Sequence, residues 1–358
     1  MRPYPLGHMR DSTGMSLALE ILAVVTGTTG AALSVWNAAR VRGLERFKSE
    51  LKREEAGANA RLDYEYEARK RLYATFEPSA FQLLELGRYA LSRITRLTEP
   101  DLWENLVPAE PDPPPETRRP PMAAANYSVI STLYGLFAPL VVVRNMRRGL
   151  TLLDLSLEPR IHLQYELAAA IYGSFSDDTR LSALAPSLPY DPFAKDWRRL
   201  RAIDPAKYWW QGLTMGRLEG ILDVLTGTDT ATHTPRVISF GEFEELYDKI
   251  ATSGTDMERK NLAVATNALL GFRPETRPVF WRLLIVQARL YQALMRTKDA
   301  AFRQPESSDD WQQLFRLEQQ DAFRWKAEIE GAPDFDETLS VSDAYLRERF
   351  HDWYVFQT

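Results

Sequence analysis

The chain has 358 residues, 45% of them apolar and 26% charged, a composition that excludes intrinsic disorder for most of its length. It contains no cysteine, which removes disulfides, zinc–thiolate and iron–sulfur ligation and every thiol nucleophile. The net charge of −5 is uneven: residues 1–53 carry eight basic and four acidic side chains, whereas residues 305–358 carry five basic and thirteen acidic. A body this acidic lacks the basic surface that nucleic acid requires, so no nucleic-acid partner is expected. Arginine outnumbers lysine 35 to 9, a bias expected of a GC-rich bacterial genome.

Residues 16–39 contain one charge, Glu20. As a helix they would span about 36 Å, enough for a hydrocarbon core of ~30 Å. The mean hydropathy of residues 17–35 is about 1.7. Trp36 falls at an interfacial position, and Arg40, Arg42, Arg46, Lys48, Lys52 and Arg53 follow as a basic collar suited to anionic headgroups. Only Arg2 and Arg10 precede the segment, so the positive-inside rule gives a single-pass protein of the inner (cytoplasmic) membrane with its bulk cytoplasmic. Two other readings compete: a signal peptide cut near Ala32, Leu33 and Ser34, opposed by Glu20 and the arginines that follow, and a core helix of a soluble fold. Ala23, Gly27 and Ala31 recur every four residues, as do Thr26, Gly30 and Ser34. That spacing lets two membrane helices approach closely and points to a homo-oligomer.

Residues 40–76 read as one long polar helix, a stalk with ten basic and seven acidic residues and no proline before Pro78. Its apolar seam through Phe47, Leu62, Tyr66 and Tyr73 is too thin for a sustained coiled coil, and the stalk is expected to join the bundle near Leu62. Helical character resumes after Pro78 through Leu83, Ala90, Ile94 and Leu97. Seven prolines in residues 107–121 make an extended loop. Residues 122–143 carry no charge and are long enough for a second span. The polar residues Asn126, Ser128, Ser131 and Thr132, with Pro139, favour a buried core helix instead.

Further helices are expected at 159–175, 206–226, 242–250, 256–272, 279–297, 309–330 and 342–356. Capping boxes mark Ser239 with Glu242, Thr255 with Glu258, and Ser340 with Asp343. The only strand-like run is 236–240, and one strand makes no sheet. The fold class is therefore all-α, an irregular multi-helix bundle with an N-terminal transmembrane helix and a long charged connecting helix. Its parts are residues 1–39 as tail and anchor, 40–76 as stalk, and 77–358 as a cytoplasmic all-α domain.

No phosphate-cradling loop, dinucleotide fingerprint or hydrolase elbow occurs, so no cofactor is expected. Glu158, His162 and Glu166 share one helix face and are the first place to look for a polar site, although a surface ion-pair face explains them as well. Glu348 and His351 form one Glu-x-x-His pair where a di-metal bundle needs two, so no metal is expected. Asp334, Asp336 and Glu337 read as a solvated acidic loop. Tyr208, Trp209 and Trp210 are consecutive and cannot all face one core, which makes them the candidate partner patch. The expected function is non-enzymatic: a partner-binding, scaffold or sensor/effector subunit, in contact with lipid through residues 16–39 and with a protein partner. The alternatives are a membrane-tethered enzyme whose carboxylates and histidines meet only in three dimensions, and a soluble all-α protein.

Overall fold

The computed structural model describes residues 13–104, 106, 125–151, 153–185, 189–299, 301–326 and 328–351, with the side chains of 13–46, 51, 103 and 104 outside that description. The described residues are helical apart from turns and one short antiparallel ribbon, so the chain is all-α as its periodicity predicts. It divides into two units, Met1–Glu67 and Ala68–Thr358.

The first unit is the leading part of α1 (Thr13–Arg96). Its backbone is helical through the expected anchor. The side chains of Ala23, Gly27, Gly30, Ala31 and Ser34, and of the collar residues Arg40, Arg42 and Arg46, lie outside the described set. Lys48, Lys52 and Arg53 are exposed. Phe47, Tyr64 and Tyr66 are exposed too, and Leu62, expected where the stalk meets the bundle, is 64% exposed.

In the second unit, α1 buries Leu72, Phe76, Ala80, Leu83, Ala90 and Ile94, a stripe at helical spacing that begins ten residues after Leu62. Pro78 does not interrupt the helix. It sits on the exposed side, where the carbonyl it leaves unbonded can turn to water. After α2 (Pro100–Glu104), the core is built on two helices that are buried almost all round: α3 (Tyr127–Leu150) and α11 (Pro278–Arg296). The most apolar window of α3 is 94% buried within the protein, so the uncharged stretch around 122–143 is a core helix, as its polar residues suggest. The Asn126 side chain caps its start by accepting from the Val129 N–H at 3.1 Å.

Around these two lie α4 (Pro159–Ser174), α5 (Asp178–Ala183), α6 (Trp197–Leu200), α7 (Pro205–Tyr208), α8 (Met215–Val224), α9 (Phe240–Ser253), α10 (Asp256–Leu269), α12 (Ser308–Leu314) and α13 (Phe335–Arg349). Helix α11 packs on α4, α5 and α13; helix α3 packs on α4, α8, α9 and α10. Glycine permits two close approaches. A Cβ at Gly87 would stand 2.8 Å from the fully buried ring of Tyr291, and one at Gly135 would stand 2.9 Å from Arg93 Cγ.

Several sequence expectations need correction, and long-range bonds supply the reasons. The stretch 206–226 is two helices, because the chain between Tyr208 and Met215 is drawn onto neighbours: the Leu213 N–H donates to the Phe175 carbonyl at 2.7 Å. The stretch 309–330 stops being α-helical at Leu314, since the Leu314, Phe315 and Arg316 carbonyls accept from the side chains of Arg296 and Arg289 instead. A capping box missed in the sequence, Ser307 with Asp310, opens that helix. Ser340 with Asp343 does not open α13; Asp334 caps it earlier by accepting from the Asp336 N–H at 2.8 Å. The strand-like run does find a partner: β1 (Thr226–Thr228) pairs antiparallel with β2 (Pro235–Val237). The boxes at Ser239 with Glu242 and Thr255 with Glu258 form as read.

Candidate functional site

The three consecutive aromatics lie at the end of a segment, 189–213, whose course is set by polar anchors rather than by helix propensity. The Tyr190 hydroxyl donates to Asp178 Oδ2 at 2.6 Å and accepts from the Gln211 N–H at 2.9 Å. Burial raises the Asp178 carboxyl above the usual carboxylate range, against hydrogen bonds from Tyr190 and backbone N–H groups that pull it down. The Gln211 side-chain oxygen accepts from the N–H groups of Val279 at 2.8 Å and Phe280 at 3.1 Å, two of the free donors at the start of α11. Its amide nitrogen donates to the Ala206 carbonyl at 2.7 Å. A buried glutamine thus ties the segment to the central helix.

On this frame the aromatics take different roles. Helix α7 ends at Tyr208, and Trp209 has extended backbone (φ −83°, ψ 131°), so the three rings are not distributed around a helix as the sequence suggests. Trp209 is contacted by two guanidinium groups, with Arg201 Cζ 5.2 Å and Arg277 Cζ 4.9 Å from its ring centroid. Such contacts contribute about 0.5–2 kcal/mol each and hold the ring in place. Arg277 also donates to the carbonyls of Ala268 and Leu270, and burial pushes its pKa down to about 10. Arg201 bridges to a second indole, Trp197, at 5.3 Å, and Lys207 stands 5.1 Å from the Tyr208 ring. Trp210 meets Phe193 edge to face with centroids 4.7 Å apart; Trp210 is 36% and Phe193 65% exposed. Ile203 and Met215 are exposed in the same stretch of chain.

The surface is therefore an aromatic and basic one. Residues 189–211 hold five basic and three acidic side chains on a chain whose balance is acidic. Tyr208, Trp209 and Trp210 stand out in the sequence, whereas Phe193, Arg201 and Arg277 join them only in the fold. The alternation of Trp197, Arg198, Arg199 and Arg201 before the triplet was a usable signal for Arg201; nothing local marked Arg277.

The other sequence candidates disperse. Glu158 stands outside α4 as the residue before its first turn and hydrogen-bonds Tyr73, whose pKa is raised first by burial and then by that bond. His162 Nε2 lies 3.8 Å from Glu166 Oε1, a half-exposed i,i+4 pair. Glu348 pairs with Arg180 at 2.9 Å. In the acidic run, Asp334 caps α13, Asp336 bonds Arg324 at 2.6 Å, and Glu337 stands 3.5 Å from Arg282. Among the described residues no three histidine or carboxylate side chains gather as a metal ion would need. No family model, curated protein or solved structure compared with the chain matches it.

Proposed function

We propose that this chain is a membrane-anchored, non-enzymatic docking subunit, held in a bacterial inner membrane by residues 16–39 and presenting the Phe193–Trp210 surface to a protein partner. The observation that carries the reading is Trp209 held by cation–π contacts to both Arg201 and Arg277, with Trp210 and Phe193 left exposed in the same segment. Rings fixed in place before binding lose little entropy on docking, and tryptophan and arginine dominate the energetics of protein interfaces. The basic residues around the rings favour a partner with an acidic surface.

The test uses the full chain in its host. Crosslinking before purification recovers the partner with the native chain and loses it with Phe193→Ala/Trp210→Ala, while circular dichroism stays unchanged. Equal recovery with both chains overturns the docking surface. Deleting residues 1–39 moves the protein from the membrane pellet to the supernatant; a truncated chain that still sediments overturns the anchor. A reporter of helix association reads the small-residue face separately, and an undiminished signal for Gly27→Ile removes the homo-oligomer from the proposal.

A further inference from the structure

A second feature is independent of the docking surface. A cleft of about 270 Å³ opens between α12, the segment after it, and α13. It lies in the most acidic part of the chain, yet three of its lining residues are arginines, Arg289, Arg316 and Arg347, against one carboxylate, Asp343. That carboxylate is already engaged, because it accepts from Arg289. Arg316 and Arg347 are exposed and have no ion pair among the described residues. The cleft is left with two arginines that no ion pair engages, and the charge of Arg347 acts against that of Arg289. Gln312, Gln313 and Gln320 add amide groups to the lining.

The wall carrying Arg316 is rigidly placed. Arg289 Nε donates to the Phe315 carbonyl at 2.8 Å, and Arg296 donates to the Leu314 and Arg316 carbonyls, both at 2.6 Å. The Gln292 side-chain oxygen accepts from the Glu318 N–H at 2.7 Å. Three side chains of α11 therefore hold this stretch as a fixed loop where its sequence favours more helix. Guanidinium groups lining one cleft repel one another, as Arg347 does Arg289, and a bound dianion with several acceptor oxygens relieves that repulsion through charge-assisted bonds. The volume suits a small molecule rather than a folded partner.

We propose that this cleft binds a small phosphate monoester, with Arg316 and Arg347 gripping the phosphate and the glutamines contacting the rest of the molecule. Inorganic phosphate is the probe, titrated calorimetrically into the full chain in detergent at constant ionic strength. The expected result is saturable binding with a Kd of about 1–5 mM. Arg316→Gln/Arg347→Gln weakens it by about tenfold or more, whereas Arg148→Gln, an exposed arginine on α3, leaves it unchanged. Absence of saturable binding by the native chain overturns the proposal. Equal affinity in the double variant, or equal loss in Arg148→Gln, also overturns it, because the effect is then general charge. Both substituted arginines are exposed and unpaired, so an unchanged melting temperature without phosphate is expected as the folding control.

Discussion

Arg282 and Arg289 lie seven residues apart on α11 and both face α13, yet the protein treats them differently. Arg289 is 5% exposed and bonded through all three guanidinium nitrogens: Nε to the Phe315 carbonyl, Nη1 to the Ser342 hydroxyl at 2.6 Å and the Leu339 carbonyl at 3.3 Å, and Nη2 to Asp343. Arg282 is 0% exposed, and its three guanidinium nitrogens find no hydrogen-bond partner among the described residues; Glu337 stands 3.5 Å away. The comparison separates two things that an ion-pair list merges. A buried guanidinium has five N–H donors in a planar fork, and one carboxylate cannot serve them all. Two backbone carbonyls and a hydroxyl add to the carboxylate at Arg289, so that four of the five donors are engaged where α13 and the loop after α12 converge. At Arg282 a carboxylate is the one charged group that approaches among the described residues, and desolvation is offset in part.

Substitutions can break this contrast. The largest effect is expected for Arg289→Met, which strands a buried network and costs about 3–5 kcal/mol. Urea unfolding would show it as a lower midpoint with an unchanged slope, and a loss under about 1 kcal/mol would mean that the network contributes little. Arg282→Met goes the other way. It removes a desolvated charge whose carboxylate neighbour, Glu337, is partly exposed and can turn to water, and raises stability by about 1–3 kcal/mol. A fall in melting temperature by calorimetry would show that the Glu337 contact outweighs the burial cost. Asp343→Asn keeps the shape at the bonded end and removes only the charge. With Asp343 partly exposed, the expected loss is about 1–2 kcal/mol, shrinking as salt is added. A loss that does not change with salt would argue that geometry, not charge, matters there. The smallest effect, about 1 kcal/mol, is expected for Gln292→Leu, which frees the Glu318 end of the loop. Faster amide exchange at residues 315–318 is its signature, and unchanged protection would place the rigidity of the loop in Arg289 and Arg296 alone.

The same contrast explains what could be read from the sequence. Local signals were reliable: the boxes at Ser239 and Thr255 rest on bonds between residues three apart, and the periodicity of α9 and α10 follows from one buried face. Failures fall where a distant side chain takes over a backbone group. Gln211 holds the start of α11, so the chain leaves helix after Tyr208. Arg289 and Arg296 take the carbonyls after α12, so the expected helix through 330 ends at Leu314. The candidate surface divides in the same way. Its aromatic triplet is contiguous and visible, whereas Arg277 reaches Trp209 from beyond α10. The arginines of the cleft come from three separate elements, and no spacing rule joins them.

The approach of Gly87 to Tyr291 has a consequence for how this protein can change over time. A methyl group at position 87 would stand 2.8 Å from a fully buried ring, so neither residue can vary alone without a clash or a hole. In descendants of this chain, a larger residue at 87 is expected only beside a smaller one at 291, so the two positions should drift together as a linked pair.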